Sequence, residues 1–154
     1  MIKLGLFLTL YLVCSFLLFL SSSFTVASGI FYLFLLLPFY GILWLGCWIF
    51  IWKHRSNTAK LKAWMWGLVL ALQLLTILSS PGNCYGFKQG DRCYSNLQIF
   101  VENLPRTAPN TVPHWKLVED AFPGLLAAYG IALLLAILKT KVETQSPDLG
   151  QESD

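Results

Sequence analysis

Four long apolar runs, separated by polar segments, dominate the pattern of the chain. They cover residues 4–20, 29–52, 63–78 and 121–138, and none contains Asp, Glu, Lys, Arg or His. A helix needs about 20 apolar residues to cross the hydrocarbon core of a bilayer, with a range of roughly 17–25, so the third run is short. No polar face recurs at helical spacing to solvate such helices. The pattern therefore predicts an all-α integral membrane protein, a bundle of four transmembrane helices.

The composition agrees with this fold class. Of the 154 residues, 56% are hydrophobic and 12% are charged, whereas soluble domains carry about 25% charged residues. This excludes an ordinary soluble protein and a disordered chain. The net charge of +3 does not form a basic patch for nucleic acid, because the basic residues are scattered at the ends of the apolar runs.

The distribution of Lys and Arg predicts the orientation in the membrane. Residues 53–62 contain four Lys/Arg and no acidic residue, so the positive-inside rule places this loop in the cytoplasm. The N-terminus with Lys3 and the C-terminal segment with Lys139 and Lys141 then also lie in the cytoplasm. Residues 79–120 carry four basic and four acidic residues and are predicted to be extracytoplasmic, in a periplasm or lumen.

The predicted organisation is a single membrane domain, residues 1–142, with a disordered polar tail at 143–154. An alternative concerns the first span. Residues 1–27 resemble a secretory signal, with a basic start, an apolar stretch and small residues before a cleavage point. Cleavage would leave three spans and a mature N-terminus outside.

Small and polar residues inside the spans predict how the helices associate. Gln73 is the strongly polar side chain at membrane depth, and we expect it to form an interhelical hydrogen bond. Small residues recur every fourth position in the third and fourth spans, which lets helix backbones approach closely. These helix-packing candidates are Ala63, Gly67, Ala71, Gly124, Ala128, Ala132 and Ala136. They are expected to contact each other or the helix of a partner protein.

Tryptophans are expected to mark the boundaries of the membrane. Trp44, Trp48 and Trp52 share one helical face. Tryptophan rings favour the membrane–water interface. The predicted interface anchors are Trp48, Trp52, Trp64, Trp66 and Trp115.

Two cysteines lie close together in the predicted outer segment. Cys84 and Cys93 have C-x8-C spacing, which matches neither a CxxC redox motif nor a usual zinc motif. A structural disulfide is expected, with a redox-active pair, or free thiols in an inverted topology, as alternatives. Small four-helix quinone-linked thiol oxidases have a similar size and topology. They carry a CxxC in the first outer loop, where residues 21–28 have no cysteine, so the chain is not assigned to that family.

A short amphipathic helix is predicted after the cysteine pair. Ser95 and Gln98 form a capping-box signature, and Pro105 ends the helix. The apolar face is expected to carry Tyr94, Leu97, Val101 and Leu104, with the membrane surface or a partner protein as the contact of this helix. Farther along, Asp120 is expected to cap the fourth span, with Pro123 in its first turn.

Candidate catalytic and metal-binding groups are sparse. The two histidines, His54 and His114, fall on opposite sides of the predicted membrane, so they cannot hold one haem. Asp91, Glu102, Glu119 and Asp120 lie in the same segment as His114, but no catalytic motif links them. No metal site is predicted.

These features predict a non-catalytic accessory or assembly subunit of a larger membrane complex, with that complex and membrane lipids as partners. No cofactor is predicted. The alternative is a protein that binds a lipid, quinone or pigment, with Gln73, Tyr129 and the tryptophan face lining the site. A thiol-redox enzyme or a small oligomeric transporter would be further alternatives.

Overall fold

Four long helices form the body of the molecule in the computed structural model. The structure describes residues 2–23, 25–54, 58–60, 62–85, 90–105, 112–139 and 141–143. The long helices are α1 (Ile2–Ser21), α2 (Val26–Lys53), α3 (Ala63–Ser79) and α5 (Lys116–Leu138), and a six-residue helix, α4 (Asn96–Val101), lies between the last two. They enclose one apolar core, to which each long helix contributes.

Four short strands complete the fold. The strands are β1 (Thr58–Lys60), β2 (Pro81–Asn83), β3 (Tyr94–Ser95) and β4 (Lys141–Glu143). Strands β2 and β3 pair antiparallel between α3 and α4, and strands β1 and β4 pair antiparallel beyond the ends of α2 and α5. The second pair joins the α2–α3 loop to the segment that follows α5, a contact that the sequence pattern did not predict.

Helices α1, α2 and α5 are long and apolar enough to cross a membrane. Helix α3 is also apolar but has 17 residues, which is at the short end of the spanning range. Large apolar side chains on these helices point outward as well as inward. Phe34 is 77% exposed and Ile42 is 71% exposed. Such surfaces suit contact with lipid, and the all-α membrane class predicted from the apolar runs agrees with them.

The helices mostly begin and end close to the predicted runs, but α5 does not. It begins at Lys116 rather than at residue 121, so the prediction that Asp120 caps it is wrong. The N-cap residue is Trp115, which makes no side-chain cap bond. The first turn of α5 contains Lys116 and Glu119, and Glu119 is paired with His114 and Arg92. Hydropathy alone does not detect a polar helix start of this kind. Pro123 consequently lies inside the helix rather than in its first turn.

The two ends of the bundle differ in chemistry. At one end, here called the capped end, residues 79–85, 90–105 and 112–116 cover the helix ends. Tyr32 of α2 donates to the carbonyl of Pro81 (2.8 Å), and the backbone N–H of Cys84 donates to Thr25 Oγ1 (3.3 Å). At the other end, here called the basic end, the start of α1 meets the end of α2 and the start of α3. The Phe7 and Trp66 rings are 6.2 Å apart there.

A capping box fixes the turn between α1 and α2. Thr25 Oγ1 accepts from the backbone N–H of Ser28 (3.3 Å), and Ser28 Oγ accepts from the N–H of Thr25 (3.2 Å). Both groups would otherwise be orphan donors at the start of α2. Because Thr25 also accepts from Cys84, the cap ties this turn to the outer segment.

Candidate functional site

A cluster of hydrogen-bonding side chains lies in the middle of the bundle. Its members, here called the polar ring, come from all four long helices: Tyr11 and Ser15 of α1, Tyr40 of α2, Gln73 of α3 and Tyr129 of α5. Four of the five residues are buried, and Tyr11 is partly buried. In a lipid-embedded bundle such groups have no water to bond to, so their pairing matters for stability.

Gln73 is the centre of this cluster. Its Nε2 donates to Ser15 Oγ (2.7 Å), and its Oε1 accepts from the Tyr11 hydroxyl (2.7 Å). The Tyr129 hydroxyl lies 3.1 Å from that of Tyr11 and 3.2 Å from Ser15 Oγ. The Tyr40 hydroxyl also bonds to Ser15.

These distances allow a closed cycle of donors. Gln73 donates to Ser15, Ser15 to Tyr129, Tyr129 to Tyr11, and Tyr11 back to the Gln73 carbonyl oxygen. Tyr40 then donates to Ser15, so every hydroxyl hydrogen in the cluster has an acceptor. A satisfied network of this kind fixes the relative register of helices, and partly satisfied networks are the costly ones. The arrangement therefore suits helix registration better than it suits ligand capture.

The small residues that recur every fourth position, here called the small-residue stripes, have different surroundings on α3 and on α5. On α5, Ala132 and Ala136 are buried in the core and Ala128 is half-buried, but Gly124 is exposed. On α3, Ala63, Gly67 and Ala71 are all exposed. A Cβ placed on Gly67 or on Gly124 would have no neighbour within 4 Å.

Helices α3 and α5 pack together, and α3 does so through a different face. The buried residues of α3 are Met65, Val69, Gln73, Thr76 and Ser79. The glycine at which α5 permits a close approach is Gly130, where an added Cβ would lie 2.8 Å from the Phe39 ring of α2. The sequence did not single out Gly130, because no neighbouring small residue four positions away marks it as part of a stripe.

The tryptophans fall into three groups. Trp44 and Trp48 both donate from Nε1 to Thr9 Oγ1 (3.1 Å each), which joins α2 to α1. Trp52 and Trp64 are largely exposed at the basic end, and Trp66 packs edge-on against Tyr11. Trp115 lies at the capped end, and its Nε1 donates to Glu102 Oε1 (3.1 Å).

An open apolar groove runs between α1 and α2. Its volume is about 360 Å³. The lining residues are Thr9, Leu12, Val13, Phe16, Leu17, Leu37, Tyr40, Gly41 and Trp44. Of the residues expected to line a ligand site, Trp44 lies in this groove, whereas Gln73 and Tyr129 belong to the polar ring.

A disulfide holds the capped end together. The bond joins Cys84 and Cys93, as the spacing predicts. Closing a loop of this length contributes roughly 2–3 kcal/mol in the chain-entropy model. Strands β2 and β3 pair beside it, and Asn83 Nδ2 donates to the carbonyl of Pro105 (3.1 Å).

Gln98 is the hydrogen-bonding centre of the capped end. Its side chain is completely buried. The Nε2 group donates to Glu102 Oε2 and to the Pro113 carbonyl (2.8 Å each), and Oε1 accepts from the backbone N–H of Trp115 (3.1 Å). One amide side chain therefore joins α4, the segment before α5 and the start of α5 itself.

This amide also determines which side of α4 is buried. Ser95 does cap the helix, since its Oγ accepts from the N–H of Gln98 (3.2 Å). However, the buried face carries Gln98 and Ile99, while Phe100 and Val101 are exposed. Of the expected apolar face, Tyr94 is buried, Leu97 and Leu104 are half-buried and Val101 is exposed. Gln98 is buried beside them because its amide makes three hydrogen bonds.

A charged cluster surrounds the start of α5. His114 Nδ1 donates to Glu119 Oε1 (2.8 Å), and the His114 ring stacks on Tyr94 at 4.3 Å. Arg92 Nη1 lies 2.8 Å from Asp120 Oδ1 and 3.6 Å from Glu119 Oε2. The hydrogen bond to Asp120 and the two nearby carboxylates raise the pKa of the Arg92 guanidinium above its ordinary value.

A cleft of about 430 Å³ opens beside this cluster. Arg92, Cys93, Glu119 and Asp120 line one part of it, and Phe122 and Pro123 line another. The carboxylates of Glu119 and Asp120 pair with Arg92 and His114. Among the described residues, no group of three or more His, Cys, Asp or Glu is placed to hold a metal ion. His54 lies at the opposite end of the bundle, where its ring contacts Phe50.

Comparison with known proteins adds no further assignment to this geometry. No family model, no curated protein sequence and no solved structure matches the chain.

Proposed function

We propose that the protein is a four-span membrane protein that serves as a non-catalytic accessory or assembly subunit of a larger membrane complex. In this proposal α1, α2, α3 and α5 all cross the bilayer. The basic end lies in the cytoplasm, and the capped end, residues 79–120, lies in a periplasm or lumen. The partner contact uses helix faces inside the membrane together with the outer segment.

The exposed stripe on α3 is the observation that carries this proposal. Ala63, Gly67 and Ala71 are exposed along one side of the helix, although its opposite side is packed in the core. Small residues at this spacing let another helix approach within close van der Waals contact, which drives association in lipid. No described segment of the chain covers them, so they are available to a helix from another protein.

The polar ring supports both the four-span count and a structural role. Two of its five residues belong to α1, so cleavage of residues 1–27 would remove Tyr11 and Ser15 and leave Gln73 without the partners it has here. This favours retention of the first span. The polar groups of the ring hydrogen-bond to one another. This favours a structural role for them over a role in a transport path for polar solutes.

The orientation has a direct test with single reporter cysteines, added after the two free cysteines are replaced by Cys14→Ser and Cys47→Ser. We expect Phe100→Cys, an exposed position on α4, to react with a membrane-impermeant maleimide in intact cells or right-side-out vesicles. Lys62→Cys, an exposed position at the basic end, should react only after permeabilisation. The reverse labelling pattern would contradict the proposed topology, and labelling of both positions in sealed vesicles would contradict a spanning α3.

The partner contact can be tested by filling the α3 stripe. Gly67→Leu places a large side chain where Cβ meets open space, so the isolated fold should be unaffected. Gentle extraction from native membranes, followed by native mass measurement, should show a stoichiometric partner with the wild type. We expect at least a tenfold loss of that partner with Gly67→Leu, because the side chain prevents close helix approach.

Gly46→Leu is the matched control, since Gly46 is also an exposed helical glycine with no neighbour within 4 Å of its Cβ. It should retain the partner. A monomer or homo-oligomer from wild-type membranes would contradict the accessory-subunit proposal. In that case the groove between α1 and α2 favours the second candidate, binding of a lipid, quinone or pigment, which solvent extraction of the same preparation would reveal.

A further inference from the structure

The two cysteines of the disulfide differ in their access to the surroundings. Cys84 is 7% exposed, whereas Cys93 is only partly buried. Cys93 also lines the cleft of about 430 Å³ beside the start of α5, and the described residues that line this cleft do not include Cys84. The course of thiol–disulfide exchange depends on which sulfur an incoming thiolate can reach. Cys93 is therefore the accessible side of this bond.

The charge of the cleft favours one class of thiol. The described residues that line it include three carboxylates, those of Asp91, Glu119 and Asp120, and the guanidinium of Arg92. Arg92 pairs with Glu119 and Asp120, which leaves an excess of negative charge at this lining. A cleft with an excess of one charge raises the local concentration of ligands of the opposite charge. An attacking thiolate is itself an anion, so a cationic group on the same molecule offsets its repulsion by these carboxylates.

We propose that Cys93 is a site of thiol–disulfide exchange, with a preference for thiols that carry a cationic group. The thiolate attacks Cys93 Sγ through the cleft and forms a new S–S bond with it. The Cys84–Cys93 bond breaks, its electron pair leaves with Cys84 Sγ, and this sulfur takes a proton from water. The incoming thiol is oxidised to a mixed disulfide, and Cys84 is reduced to a thiol. The inference depends neither on the orientation nor on the partner complex proposed above.

Exchange at Cys93 opens the capped end between two of its contacts with the bundle. The backbone N–H of Cys84 donates to Thr25 Oγ1 in the α1–α2 turn (3.3 Å). On the other side of the bond, Arg92 next to Cys93 donates to Asp120 of α5 (2.8 Å). The disulfide joins these two contacts covalently, so exchange removes a short connection between the α1–α2 turn and the start of α5.

The site of attack is tested on the full chain in neutral detergent, with the free cysteines replaced by Cys14→Ser and Cys47→Ser. Cysteamine is added, the reaction is quenched early with N-ethylmaleimide, and peptide mass spectrometry locates both labels. We expect cysteamine on Cys93 and maleimide on Cys84, in about tenfold excess over the reverse. The chain unfolded in urea should give the two products in comparable amounts. Predominant attack at Cys84, or no exchange in the folded chain under conditions that open the bond in the unfolded chain, would overturn the proposal.

The charge preference is tested by comparing cysteamine, which carries an ammonium group, with mercaptoacetate, which carries a carboxylate. Each rate is divided by the rate of the same thiol with a small neutral disulfide, which removes the intrinsic reactivity of the thiol. We expect the normalised rate of cysteamine to be about tenfold higher at low ionic strength, and the ratio to fall in roughly 0.5 M NaCl.

Asp91 provides a matched pair of variants for this ratio, because it is exposed and lines the cleft. Asp91→Asn removes one carboxylate and should lower the ratio about twofold or more. Asp91→Glu keeps the charge and should keep the ratio. Equal normalised rates for the two thiols, or a ratio in Asp91→Asn as high as in the wild type, would show that the cleft does not select thiols by charge.

Discussion

Replacement of Gln73 by leucine is expected to destabilise the bundle by about 2–3 kcal/mol. The change removes two interhelical hydrogen bonds, each worth roughly 0.6–1.7 kcal/mol in a membrane protein. It also removes the acceptor of the Tyr11 hydroxyl and one of the donors to Ser15 Oγ, and a buried polar group without its partner adds a penalty of its own. The measurement is the free energy of unfolding from reversible SDS titration in mixed micelles.

The closed cycle of hydrogen bonds also predicts that the contributions of its members to the free energy of unfolding are coupled. Tyr11→Phe should cost less when Gln73 is already leucine, because the Tyr11 hydroxyl has then lost its acceptor. A double-mutant cycle of these two changes should give a coupling energy of about 1 kcal/mol or more. Tyr32→Phe, which removes a hydroxyl bonded to Pro81 at the capped end, should combine additively with Gln73→Leu, within about 0.5 kcal/mol. Additivity of Tyr11→Phe with Gln73→Leu would contradict the ring.

The apolar runs were sufficient to predict the class of fold and most helix bounds, because a long apolar run has few stable conformations other than a helix in lipid. They failed at the start of α5, where Lys116, Glu119 and Asp120 are polar although helical. Helix formation there depends on partners supplied by other segments, such as Arg92 for Asp120. The pairing of β1 with β4 has the same origin, since it joins residues far apart in the chain that share no local signal.

In the candidate sites, too, the sequence identified some of the residues and not others. The spacing of Cys84 and Cys93 indicated their bond, and Gln73 stood out because it is polar in an apolar run. Tyr129 was expected in a ligand site rather than in this ring, and Tyr11, Ser15 and Tyr40 did not stand out, since each is a common residue in a membrane helix. Only the packing of four helices brings their hydroxyls together. For α4, the apolar pattern did not predict that Gln98 is buried, because two of the three partners of this amide belong to the segment that leads into α5.

Replacement of Gln98 by leucine is expected to open the capped end, with a local cost of about 3.5–5 kcal/mol. The substitution replaces the amide by an apolar group and removes three hydrogen bonds, one of them to the carboxylate of Glu102. Each neutral bond is worth roughly 1 kcal/mol and a bond to a charged group about 1.5–3 kcal/mol. Amide exchange of α4 should accelerate about 100-fold or more, because local opening becomes easier by that free energy.

Val101→Leu, an apolar change at an exposed position of the same helix, should leave exchange in α4 unchanged. The Cys84–Cys93 bond remains in both variants, so the chain stays tethered and a difference between them reports the amide rather than the disulfide. Exchange in α1 and α2 should stay slow in Gln98→Leu, since these helices are held by the polar ring and the apolar core. Unchanged exchange in α4 would show that Gln98 does not hold the outer segment. If Gln98→Leu opens the capped end and the protein still retains its partner complex, the proposed contact is made only by the helix faces inside the membrane.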